Sequence, residues 1–270
     1  MVQVSADEIG HSANHSQNMC FDFGTARIDV TEADWAALRA KVLAHLRARR
    51  GFALATINLD HLVKLGHDAE FRAAYAAHDM IVADGNPIVW LSRLAKRPVE
   101  LIPGSELIDP LAALAAAQDR PVAFFGSSAD VLEQAARSLQ KRHPSLKLGP
   151  RIAPPMGFDP TGSVAERLTE SIAESGAGLC FVALGAPKQE RFAAFARQKA
   201  PQTGFVSIGA GLDFIAGTQT RAPYLVRRLA LEWFWRMALS PARLGLRYLR
   251  CILILPGQVL AALRLRHRAG

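Results

Sequence analysis

Short apolar segments that alternate with helical patterns constrain this chain more than any other feature of its sequence. Five segments of four to six residues have the composition of buried strands: Phe52–Ile57, Met80–Ala83, Val122–Phe125, Leu179–Leu184 and Phe205–Ile208. Helical periodicity separates them, and strands that alternate with helices form a mostly parallel sheet covered on both faces. The sequence therefore predicts an α/β fold.

The chain organisation follows from its length of 270 residues, which is enough to bury one large core. We predict one Rossmann-like domain over residues 23–220, with helices on both faces of the sheet. Residues 1–22 begin with a polar stretch that lacks the apolar segment of a signal peptide, and we expect a disordered leader there. We assign residues 221–270 to a basic helical appendage.

The positive charge is concentrated in that C-terminal appendage. The formal net charge is +8, yet from Arg221 onward there are ten arginines, no lysine and a single acid, Glu232, so this segment carries +9 and the rest of the chain −1. Such a block needs an anionic partner, which can be phospholipid, nucleic acid or a phosphorylated ligand. No zinc-finger, RNP-like or helix-turn-helix signature accompanies it, so we expect no nucleic-acid partner.

The appendage also has the pattern of an amphipathic helix. One stripe is basic and consists of Arg236, Arg243, Arg247 and Arg250, at steps of seven, four and three residues. A second stripe is apolar and consists of Leu246, Leu249 and Leu253, with aromatic rings nearby at Trp233, Trp235 and Tyr248. This combination is typical of a helix at an anionic membrane surface. The alternative is a solvated face on a helix that is docked to the core.

We expect no membrane-spanning segment. The most apolar part of the appendage, residues 244–263, is interrupted by Arg247, Arg250 and Pro256. We therefore predict a cytoplasmic protein that binds peripherally to the inner face of the cytoplasmic membrane. The sequence leaves the oligomeric state open, and a homo-oligomer is compatible with it.

Polar and glycine residues lie at or just after the carboxyl ends of the predicted strands, where open α/β sheets bind their ligands. They are Thr56, Asn58, Asp84, Gly85, Gly126, Ser127, Ser128, Gly185, Gly209, Gly211 and Asp213. Glycines there let a ligand approach the backbone, and the N-termini of the following helices offer N–H groups to phosphate. Neither a GxGxxG after a strand nor a GxxxxGK[ST] sequence is present, so a nucleotide site would be of a different kind.

Asp84 is the most prominent carboxylate among these residues. It ends an apolar strand, where it can accept a proton from a hydroxyl nucleophile, although it could instead cap a helix that begins near Pro87. Thr56 and Asn58 lie two residues apart and would point to the same side of a strand. Gln189 could face a ligand, whereas Glu190 could complement the dipole of its helix.

Metal-binding patterns are lacking in the sequence. The three cysteines, Cys20, Cys180 and Cys251, are too scattered for a disulfide framework or a zinc site. The eight histidines do not cluster with cysteines or acids at metal-ligand spacing. We expect no metal and no other cofactor.

Several motifs together resemble the WecG/TagA/CpsF glycosyltransferases, which elongate lipid-linked glycans in bacteria. The matching segments are Thr56–Asn58, Ala83–Gly85, Gly104–Glu106, Phe125–Gly126, Leu184–Glu190, Gly209–Phe214, Ala216–Gly217, Arg221–Pro223, Leu231–Arg236 and Pro241–Arg243. They occur in family order from about residue 25 to 250. Each is weak alone, and together they are highly specific.

The resemblance implies an inverting, metal-independent enzyme of bacterial surface or exopolysaccharide synthesis. It would move a hexose, N-acetylmannosamine-type sugar or uronic acid from a UDP-sugar to a polyprenyl-diphosphate-linked acceptor. Asp84 would be the general base, and Thr56, Asn58 and Gln189 would line the reaction centre. The implied donor-binding positions are Gly85, Gly104, Ser105, Glu106, Gly126, Ser127, Gly185, Lys188 and Asp213. The arginines that would cover the diphosphate and contact the membrane are Arg221, Arg236, Arg243, Arg247 and Arg250.

Two departures from the family pattern leave the donor sugar open. Glu106 stands where the family usually has Asp, and Leu101 stands where a basic residue is frequent. The alternative functions are a Rossmann oxidoreductase that modifies nucleotide sugars and a non-enzymatic scaffold at the membrane surface. The missing GxGxxG disfavours the first, and the second leaves the polar residues at the strand ends unexplained.

Overall fold

The computed structural model describes residues 18–218 and 241–267, and for residues 241–243 it describes the backbone. The strands are β1 (Cys20–Asp22), β2 (Arg27–Asp29), β3 (Phe52–Ile57), β4 (Met80–Ala83), β5 (Val122–Gly126), β6 (Leu148–Ile152), β7 (Leu179–Ala183) and β8 (Gly204–Ser207). The helices are α1 (Trp35–Arg47), α2 (Leu59–His67), α3 (Ala69–Ala76), α4 (Asn86–Leu94), α5 (Gly104–Ala117), α6 (Ala129–Arg142), α7 (Ser163–Glu174), α8 (Lys188–Lys199), α9 (Gly211–Ala216) and α10 (Pro241–His267).

Six strands form one parallel sheet in the order β4-β3-β8-β7-β5-β6. The five predicted strands are its first five members in that order, and the prediction of a Rossmann-like α/β fold is confirmed. The sixth strand, β6, was not predicted because it has no apolar run. It contains Gly149 and Pro150, and proline is tolerated at the sheet edge because no neighbour needs its N–H.

Side chains of each strand alternate between two apolar layers, as the twofold period of a strand requires. In β3, Phe52 and Leu54 pack with α1, α5, α6 and α9, whereas Ala53, Ala55 and Ile57 pack with α2, α3, α4, α7 and α8. We call these two sides the α1 face and the α2 face. Because the strands are parallel, all their carboxyl ends meet at one edge of the sheet.

An antiparallel hairpin of β1 and β2 lies beside this sheet and changes one predicted boundary. Met19, Cys20 and Phe21, which we assigned to the leader, are buried, and Met19 and Phe21 pack on the α2 face. The prediction that the leader extends to residue 22 is therefore wrong. Disorder of residues 1–17 lies outside the described residues.

The segment before α1 is attached to β4. Thr31 Oγ1 accepts a hydrogen bond from Ile81 N at 2.8 Å and so holds the segment after β2 against β4. Asp34 caps α1, with its side chain accepting from Ala37 N at 2.7 Å.

Helix α10 packs along α2 and α4 on the α2 face. Leu244, Cys251 and Ala262 are buried in this contact. The stretch Leu244–His267, with 24 residues, is long and apolar enough to cross a bilayer, contrary to the expectation from the sequence. The interruptions at Arg247, Arg250 and Pro256 do not break the helix, which is continuous through all three.

Candidate active site

The winding of the sheet reverses between β5 and β7. Strand β5 leads into α6 on the α1 face, while the neighbouring β7 leads into α8 on the α2 face. A crevice opens at such a point, and here it forms a cleft of about 420 Å³ that we call the β5–β7 cleft. Its lining residues are Ser127, Ser128, Ala153, Pro154, Pro155, Met156, Gly157, Phe158, Leu184 and Lys188.

The floor of this cleft is built on backbone that only glycine readily adopts. Gly126 has φ +100°, and a Cβ added there would lie 2.5 Å from the Ala183 carbonyl oxygen. Ser127 follows with φ 59° and donates its N–H to the same carbonyl at 3.1 Å. The predicted positions Gly126 and Ser127 therefore draw the ends of β5 and β7 together and leave the N-terminus of α6 facing the cleft.

We expect Gly126→Ala to lower the free energy of unfolding by roughly 2–5 kcal/mol, because positive φ and overpacking both penalise the new methyl group. Gly157→Ala is the matched control, since Gly157 also has positive φ, at +77°, but a Cβ added there would have no described atom within 4 Å. That variant should lose only about 1–2 kcal/mol. Urea denaturation measures both, and equal losses would contradict the close contact at Ala183.

At the other end of the same edge, Asp84 and Thr56 meet across the ends of β4 and β3. Thr56 Oγ1 donates to Asp84 Oδ2 at 3.4 Å, and Asp84 N donates to the Ile57 carbonyl at 2.8 Å. The alternative role of Asp84 as a helix cap is wrong, because Gly85 is the N-cap of α4 and has φ +96°. Asp84 is thus presented at the carboxyl edge by a fixed backbone.

Thr56 is itself held from behind by two buried aromatic side chains. Its carbonyl oxygen accepts from Tyr75 Oη at 2.7 Å and lies 2.8 Å from His61 Nδ1. Burial lowers the pKa of His61 to about 4, so the imidazole is neutral at physiological pH. Neither residue was singled out as functional from the sequence, and their role is to fix the strand end that carries Thr56.

Two predicted centre residues, Asn58 and Gln189, make their described hydrogen bonds to protein. Asn58 caps α2, with Oδ1 accepting from His61 N at 3.0 Å. Gln189 is buried; its Oε1 accepts from Gly209 N at 2.9 Å and its Nε2 donates to Glu190 Oε1 at 2.7 Å. Both residues lie at the predicted edge, and Gln189 connects α8 to the segment that follows β8.

Glu190 is a buried acid whose burial was not predicted from the sequence. The sequence suggested that it could complement the dipole of α8, and it does lie in the first turn of that helix, but it is fully buried there. Loss of hydration raises its pKa to about 7. Among the described residues, its Oε2 atom has no hydrogen-bond partner. No sequence signal distinguishes this buried acid from an ordinary first-turn glutamate.

The remaining predicted donor positions also reach the carboxyl edge. A Cβ at Gly104 would lie 3.3 Å from Ile208 Cα, so the start of α5 packs closely on the end of β8. Ser105 and Glu106 follow in the first turn of α5, and Asp213 lies in the short helix α9. Gly185 precedes α8, and Lys188 opens that helix beside the β5–β7 cleft. Residues 153–158 form a wall of that cleft.

The predicted arginines have different places. Arg247 NH2 lies 3.0 Å from Asp60 Oδ2, and Arg250 is exposed on α10. Arg221 and Arg236 lie outside the described residues, and of Arg243 only the helical backbone is described. The described ranges contain no group of three His, Cys, Asp or Glu side chains that could hold a metal ion.

A doubly wound parallel sheet with a ligand cleft at its switch point and a carboxylate farther along the same edge defines an α/β enzyme site. The chain belongs to the WecG/TagA/CpsF family of glycosyl transferases, whose family model matches residues 23–269. The resemblance seen in the sequence is confirmed, and the family assignment replaces the oxidoreductase and scaffold alternatives.

Two relatives are similar to more than half of the chain. One is the N-acetylglucosaminyldiphosphoundecaprenol N-acetyl-beta-D-mannosaminyltransferase of Bacillus subtilis (strain 168), which is 27% identical over 196 residues, covering 72% of this chain and 73% of that protein. The enzyme of the same name from Staphylococcus aureus (strain NCTC 8325 / PS 47) is 31% identical over 166 residues, covering 61% of this chain and 63% of that protein. The second alignment thus spans slightly less than two thirds of the relative.

Proposed function

We propose that this glycosyltransferase moves a sugar from a UDP-sugar to a glycan acceptor linked to polyprenyl diphosphate. Asp84 follows β4 at one side of the sheet. In the strand order, β7 is three strands away from β4 and β5 is four strands away. At about 4.8 Å between neighbouring strands, the carboxylate lies roughly 14–19 Å from the β5–β7 cleft. That separation carries the proposal, because it suits an elongated donor with its nucleoside in the cleft and its sugar near Asp84. The relatives are named for transfer of N-acetylmannosamine to a lipid diphosphate-linked acceptor, which supports this acceptor class.

The chemistry follows from the placement of Asp84. Its carboxylate takes the proton of the acceptor hydroxyl while that oxygen forms a bond to the anomeric carbon of the donor sugar. The bond from this carbon to the diphosphate oxygen breaks on the opposite side, so the configuration inverts and UDP leaves. Thr56 Oγ1, by donating to Asp84 Oδ2, orients the carboxylate for this step.

The leaving diphosphate needs compensating positive charge. The backbone N–H groups at the N-terminus of α6 and the ammonium of Lys188 border the β5–β7 cleft and can supply it. We assign Arg221, Arg236, Arg243 and Arg250 of the C-terminal appendage to the same task and to the membrane surface. In this proposal the transfer requires no metal ion, and Gly85, Gly104, Ser105, Glu106 and Asp213 form the rest of the donor surface.

A membrane contact is supported by the outward side of α10. While its inner side packs on α2 and α4, Leu246, Leu249, Leu253 and Leu260 are all more than half exposed and follow one another at helical spacing. Exposed apolar area of this kind in a helix that also carries arginines is typical of an interfacial helix. We propose peripheral binding at the inner face of the cytoplasmic membrane, with α10 lying along the surface.

Replacing Leu249 and Leu253 together by Glu should reduce binding to vesicles of anionic phospholipid more than tenfold, because each buried leucine contributes about 1.5–3 kcal/mol. Cosedimentation with vesicles measures this. Met156→Glu is the matched control, since Met156 is fully exposed in the segment before α7 and its replacement also adds a glutamate. Equal losses in the two proteins would contradict a specific role of α10.

The reaction itself is tested by UDP release from a panel of donors: UDP-N-acetylmannosamine, its uronic acid, UDP-glucose and UDP-glucuronate. A short polyprenyl-diphosphate glycan in vesicles serves as acceptor. Release with one donor that depends on the acceptor supports the proposal and identifies the sugar. A folded protein that neither binds UDP nor releases it from any donor overturns the proposal.

A further inference from the structure

Asp60 is a buried carboxylate that the proposed transfer does not use. It lies in the first turn of α2, two residues after Asn58, and is 9% exposed. A buried carboxylate is unfavourable unless cations compensate it. Here two cations converge on one oxygen, since Lys64 Nζ lies 2.7 Å and Arg247 NH2 3.0 Å from Asp60 Oδ2.

The contact with Arg247 joins the C-terminal helix to the catalytic domain. Strand β3 ends just before α2, and β4 ends just before α4, so the N-terminal ends of both helices lie at the carboxyl edge with Thr56 and Asp84. Arg247 approaches α2 at that end. The early part of α10 is therefore held beside the site, not at the opposite edge of the sheet.

The contact of α10 with α2 and α4 is both apolar and charged. Leu244, Cys251 and Ala262 are buried, and Ile254, Val259 and Leu265 are partly buried against the core. Apolar contacts are non-directional, whereas an ion pair to a buried carboxylate favours one position of the helix. Within the described part of α10, Arg247 is the residue that forms an ion pair with the domain.

Lys64 links Asp60 to the loop beside the proposed donor cleft. Its Nζ also donates to the Ala186 carbonyl at 3.1 Å, in the loop between β7 and α8. That loop leads directly to Lys188 at the β5–β7 cleft and to Gln189, which is bound to the end of β8. Asp60 thus lies between the C-terminal helix and the loop that opens the cleft.

We propose that Asp60 is a positioning residue that sets α10 against the active-site edge through Arg247 and the β7–α8 loop through Lys64. This assignment gives Arg247 a docking role in place of the diphosphate contact that the sequence suggested. It rests on the proposed function only for its catalytic consequence, because docking itself can be measured without any substrate. The expected consequence is that acceptor and donor sites are held in a fixed relation to each other.

The first test measures amide hydrogen exchange in the full-length protein without ligands. Arg247→Ala should raise exchange of the α10 amides about fivefold or more, corresponding to loss of about 1 kcal/mol of docking free energy. Arg247→Lys should restore part of the protection, since a cation remains within reach. Arg250→Ala is the matched control, because Arg250 is exposed one turn farther along the same helix. Equal effects of Arg247→Ala and Arg250→Ala would overturn the proposal.

The second test uses Asp60→Asn, which removes the charge and keeps the shape. It should raise exchange both in α10 and in residues 184–190, whereas Arg247→Ala affects α10 alone. In the double variant, the α10 amides should exchange no faster than in Asp60→Asn, since both changes remove one interaction. Additive effects would mean that the two residues act independently and would contradict the proposal. Should Asp60→Asn fail to fold, the comparison of the arginine variants still decides.

Kinetics separates this role from a general loss of structure. Arg247→Ala should raise KM for the lipid-linked acceptor several-fold with little change in the donor KM, and Asp60→Asn should raise both. A wild-type protein without transferase activity that nevertheless shows the expected exchange pattern would overturn the proposed function and leave the docking role standing. An active protein whose amide exchange is unchanged by Arg247→Ala would overturn the docking role and leave the proposed function standing.

Discussion

Replacing Asp84 by Asn is expected to reduce the rate of sugar transfer by about 10²–10⁴-fold, the usual contribution of a general base. The amide retains an oxygen that can accept from Thr56 Oγ1, and the backbone bond from Asp84 N to Ile57 is unaffected. The protein should therefore fold and bind UDP as before while losing kcat. Acceptor-dependent UDP release gives the rate, and calorimetric titration with UDP gives the affinity.

Asp79→Asn is the matched control at the opposite end of the same strand. Asp79 accepts from Ala53 N at 2.8 Å and from Arg197 NH2 at 2.6 Å, and so it has a structural role away from the carboxyl edge. This variant should lower the unfolding free energy and leave kcat nearly unchanged. If Asp84→Asn retains full kcat, the base is another group, and if both variants lose kcat equally, the loss at Asp84 reflects stability.

The sequence was enough to predict that these residues share one edge of the sheet, because the carboxyl edge of a parallel sheet is determined by topology. Once the apolar runs before Asn58, Asp84, Gly126, Gly185 and Gly209 are assigned to parallel strands, their following residues must meet at one edge. No side-chain contact is needed for that inference. The same reasoning cannot say which of these polar groups face a ligand, because that depends on which neighbours they meet.

The contacts of Gln189 could not be predicted in this way. Its position after the β7–α8 loop was predicted correctly, yet its amide spans Gly209 and Glu190, two contacts that depend on how α8 and β8 meet in space. The hairpin of β1 and β2 and the edge strand β6 were missed for a related reason. All three strands are short. The apolar run at β1, Met19–Phe21, has only three residues, and β2 and β6 have none, so what is buried in these strands depends on the structure beside them.

Arg247 is a similar case on the C-terminal helix. The stripe of arginines is visible in the sequence, but its members are equivalent there. Both Arg247 and Arg250 are exposed residues, and only the structure shows that Arg247 also meets Asp60. Charge patterning predicts that a helix needs anionic partners. It does not distinguish a partner within the protein from one in the membrane.

Glu190 leads to a prediction about stability, because its carboxyl group changes environment completely on folding. Its pKa rises from 4.5 to about 7 since burial penalises the charged form more than the hydrogen bond from Gln189 and the charge of Lys64 favour it. The folded protein therefore holds this proton between about pH 4.5 and 7, where the unfolded chain has released it. Folding stability due to this group falls as the pH rises through that window, by roughly 3 kcal/mol in total, and stays low above it.

Glu190→Gln should remove this dependence. The variant keeps an oxygen that accepts from Gln189 Nε2 and carries no charge at any pH, so its stability relative to the wild type should increase by roughly 3 kcal/mol between about pH 4.5 and 8. Urea denaturation of both proteins at each pH measures that difference. The buried histidines His61 and His78, with pKa values lowered to about 4, have the opposite effect. They lower the folding stability as the pH falls, because the unfolded chain takes up their protons first. Their contribution is common to both proteins and cancels.

Glu174→Gln on the exposed side of α7 is the control and should show no such trend. If the stability difference between Glu190→Gln and the wild type is equally flat with pH, Glu190 is not a buried carboxyl that holds its proton.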